Sequence, residues 1–72
     1  MLTDEIEIEI KRLPKGGFRA TVHMFRGGRW WPPDSKPFVS ELEAMRWINS
    51  RMALHGFEEA YPTHLQATVK PY

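Results

Sequence analysis

Glu5, Glu7 and Glu9 are the residues whose type and spacing come closest to a metal site in this 72-residue chain. Carboxylate oxygens are the ligands that hard divalent cations prefer. The glutamates alternate with isoleucines over residues 5–10, and alternate side chains of a flat strand diverge rather than converge on one ion. The pattern therefore predicts a solvated strand face that discourages edge pairing, and no metal site.

The other residue types that could support catalysis have simpler interpretations. Catalysis needs a nucleophile and an oriented base in one pocket, and the chain has no cysteine. The remaining candidates are His23, His55, His64, Ser35, Ser40 and Ser50. These histidines are too far apart in sequence for a metal motif, and the serines fit a loop, a helix cap and a helix surface. We therefore predict a protein that is not an enzyme and that has no metal or cofactor.

Basic residues interleaved with aromatic ones favour nucleic acid. Residues 11–36 contain seven Lys or Arg and one Asp. Cations neutralise phosphates and rings stack on bases. The candidate contacts are Lys15, Arg19, Arg26, Arg29 and Trp30. The alternative is that these strand and turn residues only keep the surface wet. The net charge of +1 and the glutamate row favour that alternative, so nucleic-acid binding is the second predicted function.

The aromatic residues favour a protein partner. Three tryptophans are many for this length, and we expect the core to use only Trp31. Trp30 on the outer face of a sheet and Trp47 on the outer face of a helix would lack an internal position. Exposed Trp and Arg side chains are favoured anchors of protein interfaces. The leading prediction is therefore a non-catalytic binding module that contacts a protein partner or forms a homodimer.

Two candidate partner surfaces follow from these positions. The sheet-face candidate consists of Phe25, Trp30, Arg19 and His23. The helix-face candidate consists of Trp47, Arg51 and Leu54. In the alternative interpretation, each surface is covered by another part of the same chain. The 57–63 loop folds over Trp47 and Leu54, and the Tyr72 tail covers Trp30.

Two alternating segments predict the hairpin that would carry the sheet face. Residues 5–10 place isoleucines on one side, and residues 18–25 place Phe18, Ala20, Val22 and Met24 on that side. Two registers keep these apolar rows together. Ile10 opposite Phe18 sets Glu9 against Arg19, whereas Ile10 opposite Ala20 sets Lys11 against Arg19. We predict the first register, because opposite charges across strands are favourable.

A second turn predicts a third strand. Gly27 and Gly28 suit a primed hairpin turn, which pairs Phe25 with Trp30 on the outer face and Met24 with Trp31 on the inner face. Proline cannot donate to a strand ladder, so the strand ends at residues 32–33 and residues 32–37 form a stiff connection.

Residues 40–56 carry the signals of a helix. Ser40 and Glu43 fit a capping box, and Gly56 suits the position after the helix, which predicts a span of about 41–55. One stripe of the helix should cover the inner sheet face: Leu42, Met45, Ile48 and Met52. Trp47 and Leu54 then lie on the opposite side.

Residues 64–70 alternate again and predict a last strand with Leu65, Ala67 and Val69 on one face. The element order is β-β-β-α-β, an α+β fold in one domain over residues 1–72. It combines an antiparallel three-stranded meander, one helix packed on one face, and a C-terminal fourth strand. A right-handed crossover would place the last strand beside the first, in spatial order 3-2-1-4.

The middle of the chain resembles AP2-like domains. The resemblance covers residues 16–48 and rests on GFRATV at 17–22, GRW at 28–30 and FVSELEA at 38–44. Such modules include the arm-type DNA-binding domains of phage integrases, whose exposed sheet face enters the DNA major groove. The resemblance implies a DNA-binding fold of three strands and a helix, whose exposed face would carry Arg19, Thr21, His23 and Trp30 beside the glutamates.

The composition predicts a folded protein, since 42% of the residues are hydrophobic and 26% are charged. Residues 1–10 have neither the cationic start nor the apolar run of a targeting segment. No window approaches the roughly 18 apolar residues of a membrane span. We therefore expect a cytoplasmic protein without a membrane partner.

Overall fold

The computed structural model describes residues 3–61, which form four strands followed by one helix. The elements are β1 (Glu5–Arg12), β2 (Phe18–Arg26), β3 (Arg29–Trp30), β4 (Asp34–Phe38) and α1 (Glu41–Leu54). β2 is the central strand: β1 pairs with one of its edges, and β3 and β4 both pair with the other, all antiparallel. The α+β class is as predicted. The predicted last strand at 64–70 lies outside the described residues, as does the order 3-2-1-4 that depends on it.

The predicted register of the first hairpin is wrong. Ile10 lies opposite Ala20, and Lys11 lies opposite Arg19. The apolar rows still face each other, so the core does not distinguish this register from the predicted one. Glu9 consequently lies opposite Thr21 rather than opposite Arg19.

The turn between β1 and β2 explains this register. Gly16 N donates to Leu13 O at 3.1 Å, and Leu13 N donates to Gly17 O at 3.0 Å. Gly16 and Gly17 have φ values of +100° and +85°, which glycine adopts without steric cost. A three-residue loop ending in a left-handed residue is a common hairpin connection. Its hydrogen bonds outweigh the few tenths of a kcal/mol that cross-strand charges contribute.

Residues 34–38 form β4 and are not the stiff connection that the prolines predict. β4 runs along β2 from Phe18 opposite Phe38 to Val22 opposite Asp34. Unpaired backbone groups on this edge of β2 would otherwise remain without sheet partners. The third strand ends early at Trp30, and the chain returns to the same edge after Pro33. Pro37 is tolerated because β4 is an edge strand of the described sheet.

Both ends of α1 are fixed by local signals, as predicted. Ser40 is the N-cap, and its side chain accepts a hydrogen bond from Glu43 N at 3.2 Å. At the C-terminal end, Gly56 has a φ of +86°. Gly56 N donates to Ala53 O at 3.1 Å, and Phe57 N donates to Met52 O at 2.8 Å. These two bonds form a Schellman motif, which satisfies carbonyls that the helix leaves without partners.

The core lies between α1 and the inner face of the sheet. Its buried apolar residues are Ala20, Val22, Ala44, Ile48 and Met52. The isoleucines of β1 are half-buried and pack against this cluster. The predicted helix stripe is only partly right, because Leu42 and Met45 are half-buried while Ala44 is fully buried.

Candidate functional site

The face of the sheet opposite α1, which we call the outer face, is the candidate site. The register and the alternation of each strand place these residues on it: Glu5, Glu7, Glu9, Lys11, Arg19, Thr21, His23, Phe25, Trp30, Ser35 and Pro37. Within residues 3–61, the helix packs on the other face. The outer face is therefore the surface of the described sheet on which no described helix packs.

Three rings meet at one end of this face, and we call them the outer aromatic cluster: His23, Phe25 and Trp30. Phe25 pairs with Trp30 across the strands, which confirms the pairing predicted from the two glycines. The rings of Phe25 and Trp30 lie 5.3 Å apart, edge to face at 61°. The rings of His23 and Trp30 lie 4.6 Å apart. Trp30 nevertheless remains 41% exposed, so its contacts leave much of the indole surface uncovered.

Carboxylates flank the outer aromatic cluster. Glu5, Glu7 and Glu9, which we call the acidic row, are exposed along β1. Glu5 lies opposite Phe25, and the Glu7 carboxylate lies 3.9 Å from His23 Nδ1. No group of three possible metal ligands occurs within residues 3–61. Among the described residues of the outer face, this end therefore carries carboxylates but neither lysine nor arginine.

The other end of the outer face is basic and rich in hydroxyl groups. Arg19 lies opposite Lys11 and donates from Nη1 to Ser35 Oγ at 3.2 Å. Ser35 Oγ is also 3.2 Å from Thr21 Oγ1. Arg19 and Phe25 are six residues apart on β2, or about 20 Å at the usual rise of a strand. The predicted sheet-face set is therefore divided, with Arg19 at one end and the three rings at the other.

The predicted nucleic-acid contacts do not share one surface. Arg26 lies on the inner side, where Nε donates to Asp4 Oδ2 at 2.9 Å and Nη2 donates to His55 O at 2.7 Å. The Arg29 guanidinium lies 4.2 Å from the centre of the Trp31 ring. Lys15 is in the turn at the opposite end of β2. Only Arg19 and Trp30 of the predicted set lie on the outer face.

The predicted helix-face set is only partly exposed, although two of its members are in contact: the Arg51 guanidinium lies 5.6 Å from the centre of the Trp47 ring. Trp47 is half-buried, packs against the core and lies 5.7 Å from the ring of Phe38. The Arg51 side chain donates to the Asp34 carboxylate, with Nε at 2.8 Å. Leu54 is 68% exposed. The prediction that Trp47 faces outward is wrong, because the helix is rotated so that Trp47 lies at the side of the core.

Trp31 is not the core tryptophan that the alternation predicts. Its backbone N donates to Met24 O at 2.8 Å, so the expected neighbour is correct, but the residue is 40% exposed. Its indole Nε1 donates to Arg26 O at 3.0 Å. The two prolines that follow turn the chain away from β2, which leaves Trp31 at the rim of the inner side. There it lines a cavity of about 300 Å³ together with Pro32, Pro33 and five further residues.

The segment after α1 is hydrogen-bonded by Asn49, a residue that the sequence patterns did not single out. Asn49 is buried; its Nδ2 donates to Tyr61 O at 2.6 Å, and its Oδ1 accepts from Ala60 N and Tyr61 N, both at 3.1 Å. Phe57 and Tyr61 pack against the core, whereas Leu54 stays exposed. Burial raises the pKa of the Tyr61 phenol, and the Glu41 carboxylate raises it further. Asn49 lies four residues after Met45 and three before Met52 of the predicted buried stripe. A polar residue at such a position was the signal that the sequence offered.

No family model matches the chain, and no curated protein or solved structure matches it either. The AP2-like resemblance of residues 16–48 therefore stays a prediction. Within the described part of the chain, the single helix is too short and too polar to cross a membrane. The candidate site is accordingly interpreted from its own geometry.

Proposed function

We propose that this protein is a non-catalytic protein-binding module whose contact surface is the outer face of the sheet, centred on Trp30. The observation that carries the proposal is the outer aromatic cluster. Three rings lie together on a face that no described helix covers. Clustered exposed aromatic groups are typical of partner surfaces, and tryptophan is among the most frequent interface anchors.

The charges around the cluster favour protein over nucleic acid as the partner. The acidic row lies beside the rings and would repel phosphates. Arg26 and Arg29, which the nucleic-acid prediction requires, are engaged by Asp4, by a backbone carbonyl and by the ring of Trp31. The basic pair of Lys11 and Arg19 lies at the far end of the face.

Substitution of Trp30 tests the proposal, and the chain provides a matched control in Trp31. The two tryptophans are adjacent and equally exposed, at 41% and 40%, but they lie on opposite sides of the sheet. We expect Trp30→Ala to abolish self-association and partner contacts, measured by sedimentation equilibrium and by quantitative affinity capture. Trp31→Ala should leave both unchanged. Retention of every contact by Trp30→Ala would exclude the outer aromatic cluster as the binding surface.

A DNA titration tests the competing function. Amide NMR spectra would be recorded with random-sequence duplex and single-stranded DNA at low and moderate salt. The proposal predicts no specific shifts. Shifts confined to residues 15–30 that vanish steeply with salt would instead show phosphate contacts and support the nucleic-acid function.

A further inference from the structure

We propose that the end of the outer face formed by Trp30, Glu5 and Glu7 binds a cationic segment of another protein, with an arginine or lysine side chain over the Trp30 ring. This inference rests on the proposed protein-binding function and adds the chemistry of the partner. The partner's cation would lie between an indole face and two carboxylates.

Trp30 differs from the other two tryptophans, each of which has an arginine over its ring within the described residues. The Arg29 guanidinium lies 4.2 Å from the centre of the Trp31 ring, and the Arg51 guanidinium lies 5.6 Å from that of Trp47. Among the described residues, no cation lies over Trp30; its ring contacts are with His23 and Phe25. Indole is the best of the natural rings for a cation–π contact, and arginine is its commonest partner.

The charge around Trp30 is complementary to a cation. Glu5 and Glu7 lie on β1 opposite Phe25 and His23, which are the two residues that contact Trp30. Arg26, the nearest arginine along β2, extends to the inner side and binds Asp4 and the end of α1. In the part of the chain that the structure describes, the acidic carboxylates at this end of the outer face therefore lack a basic partner other than His23.

The same arrangement disfavours other occupants. A phosphate or an acidic peptide would meet the acidic row before it reached Trp30. A purely apolar segment would bury Glu5 and Glu7 without compensation, which costs free energy. A cationic side chain satisfies the ring and the carboxylates together, and its alkyl stem covers the apolar surface of the cluster.

Three short acetylated peptides test this inference: Gly-Arg-Leu-Arg-Gly and its counterparts with Gln or Glu in place of both arginines. Each is titrated into the labelled protein while the backbone amides and the indole Nε1 signals are followed by NMR. We expect saturable shifts at Glu5, Glu7, His23 and the Trp30 indole with the arginine peptide only. Added salt should weaken this binding.

Variants separate the ring from the charges. Trp30→Ala should abolish the response, with unchanged signals of Trp47 showing that the fold is intact, and Trp31→Ala should retain it. The double variant Glu5→Gln, Glu7→Gln should weaken the arginine peptide by about fivefold, since exposed charge pairs contribute modestly. Glu58→Gln, at an exposed position outside the outer face, is the control and should have no effect.

Three outcomes would overturn the inference. They are an equal response to all three peptides, no response to any, or concentration-dependent shifts at Trp30 without peptide, which would make a second copy the occupant. Each outcome leaves the proposed function standing if Trp30→Ala still removes partner contacts or self-association. Loss of both the peptide response and the effect of Trp30→Ala would reject the two together.

Discussion

The two faces of the sheet use the same strands for different purposes. On the inner face, Ala20 and Val22 of β2 are buried beneath α1, and Ile48 of the helix is fully buried against them. On the outer face, the alternate residues His23 and Phe25 contact a tryptophan that remains 41% exposed. The inner face thus stabilises the fold, while the outer face keeps apolar surface in water.

Polar contacts differ between the two faces in the same way. On the inner side, Arg26 donates to a carbonyl at the end of α1, and Arg51 donates to Asp34 of β4. Both bonds join the helix to the sheet. On the outer face, the acidic row is exposed, and the basic pair of Lys11 and Arg19 lies at the end of the face away from Phe25 and Trp30. The arginines that join the helix to the sheet are therefore hydrogen-bonded, whereas the carboxylates of the acidic row are exposed.

The largest expected effect on stability is at the centre of the inner face, which α1 covers. Ile48→Ala should lower the free energy of unfolding by about 2–5 kcal/mol, because it removes buried methylene groups and leaves a cavity. Urea denaturation of each variant measures this loss. Val39→Ala is the control, since Val39 is a β-branched residue that is 85% exposed, and it should change stability by less than about 0.5 kcal/mol.

Trp30→Ala provides the matching measurement on the outer face. It should lower the free energy of unfolding by clearly less than Ile48→Ala does. An equal loss would mean that the outer face is a second core rather than a binding surface, which would remove the difference between the faces.

A smaller effect on stability is expected from Asn49, whose buried side-chain amide binds the segment after α1. Asn49→Ala removes three hydrogen bonds to residues 60–61 and should cost about 1–3 kcal/mol, the range for a buried polar group that loses its partner. Thermal or urea unfolding measures the loss, and Ser50→Ala at the exposed neighbouring position is the control. An equal loss of unfolding free energy in both variants would mean that the hydrogen bonds of Asn49 to residues 60–61 do not stabilise the fold.

The smallest effect tests the register on the outer face. Lys11→Glu replaces a like-charge pair with Arg19 by an opposite pair and should raise stability by about 0.2–1 kcal/mol. The gain should shrink at high salt, because both side chains are exposed. Lys15→Glu makes the same charge change in the turn. An equal gain from Lys15→Glu would show an effect of net charge alone and would leave the register without support.

The sequence is most informative where the signal is local. The Ser40 cap, the glycine after α1 and the pairing of Phe25 with Trp30 each depend on residues within one turn, and all three are confirmed. The two alternating strands are also confirmed, because a period of two is a direct consequence of strand geometry. These elements were sufficient to predict that His23, Phe25 and Trp30 share the outer face.

The sequence is least informative where two local signals compete or where a distant partner decides. Cross-strand charges favour one register, but the hydrogen bonds of the Leu13–Gly17 turn fix another. The prolines predict a connection after Trp31, but the free edge of β2 takes up residues 34–38 as a strand. The predicted buried stripe places Trp47 on the exposed side of the helix, yet its ring packs against Phe38 of β4.

By itself, the sequence determined which strand residues share a face, where the helix begins and ends, and where the second hairpin turns. It did so because these features follow from backbone geometry over a few residues. Only the tertiary structure decided that residues 34–38 pair with β2 and that the Trp47 ring packs against Phe38. Both contacts join segments that are distant along the chain, and so no local pattern contains them.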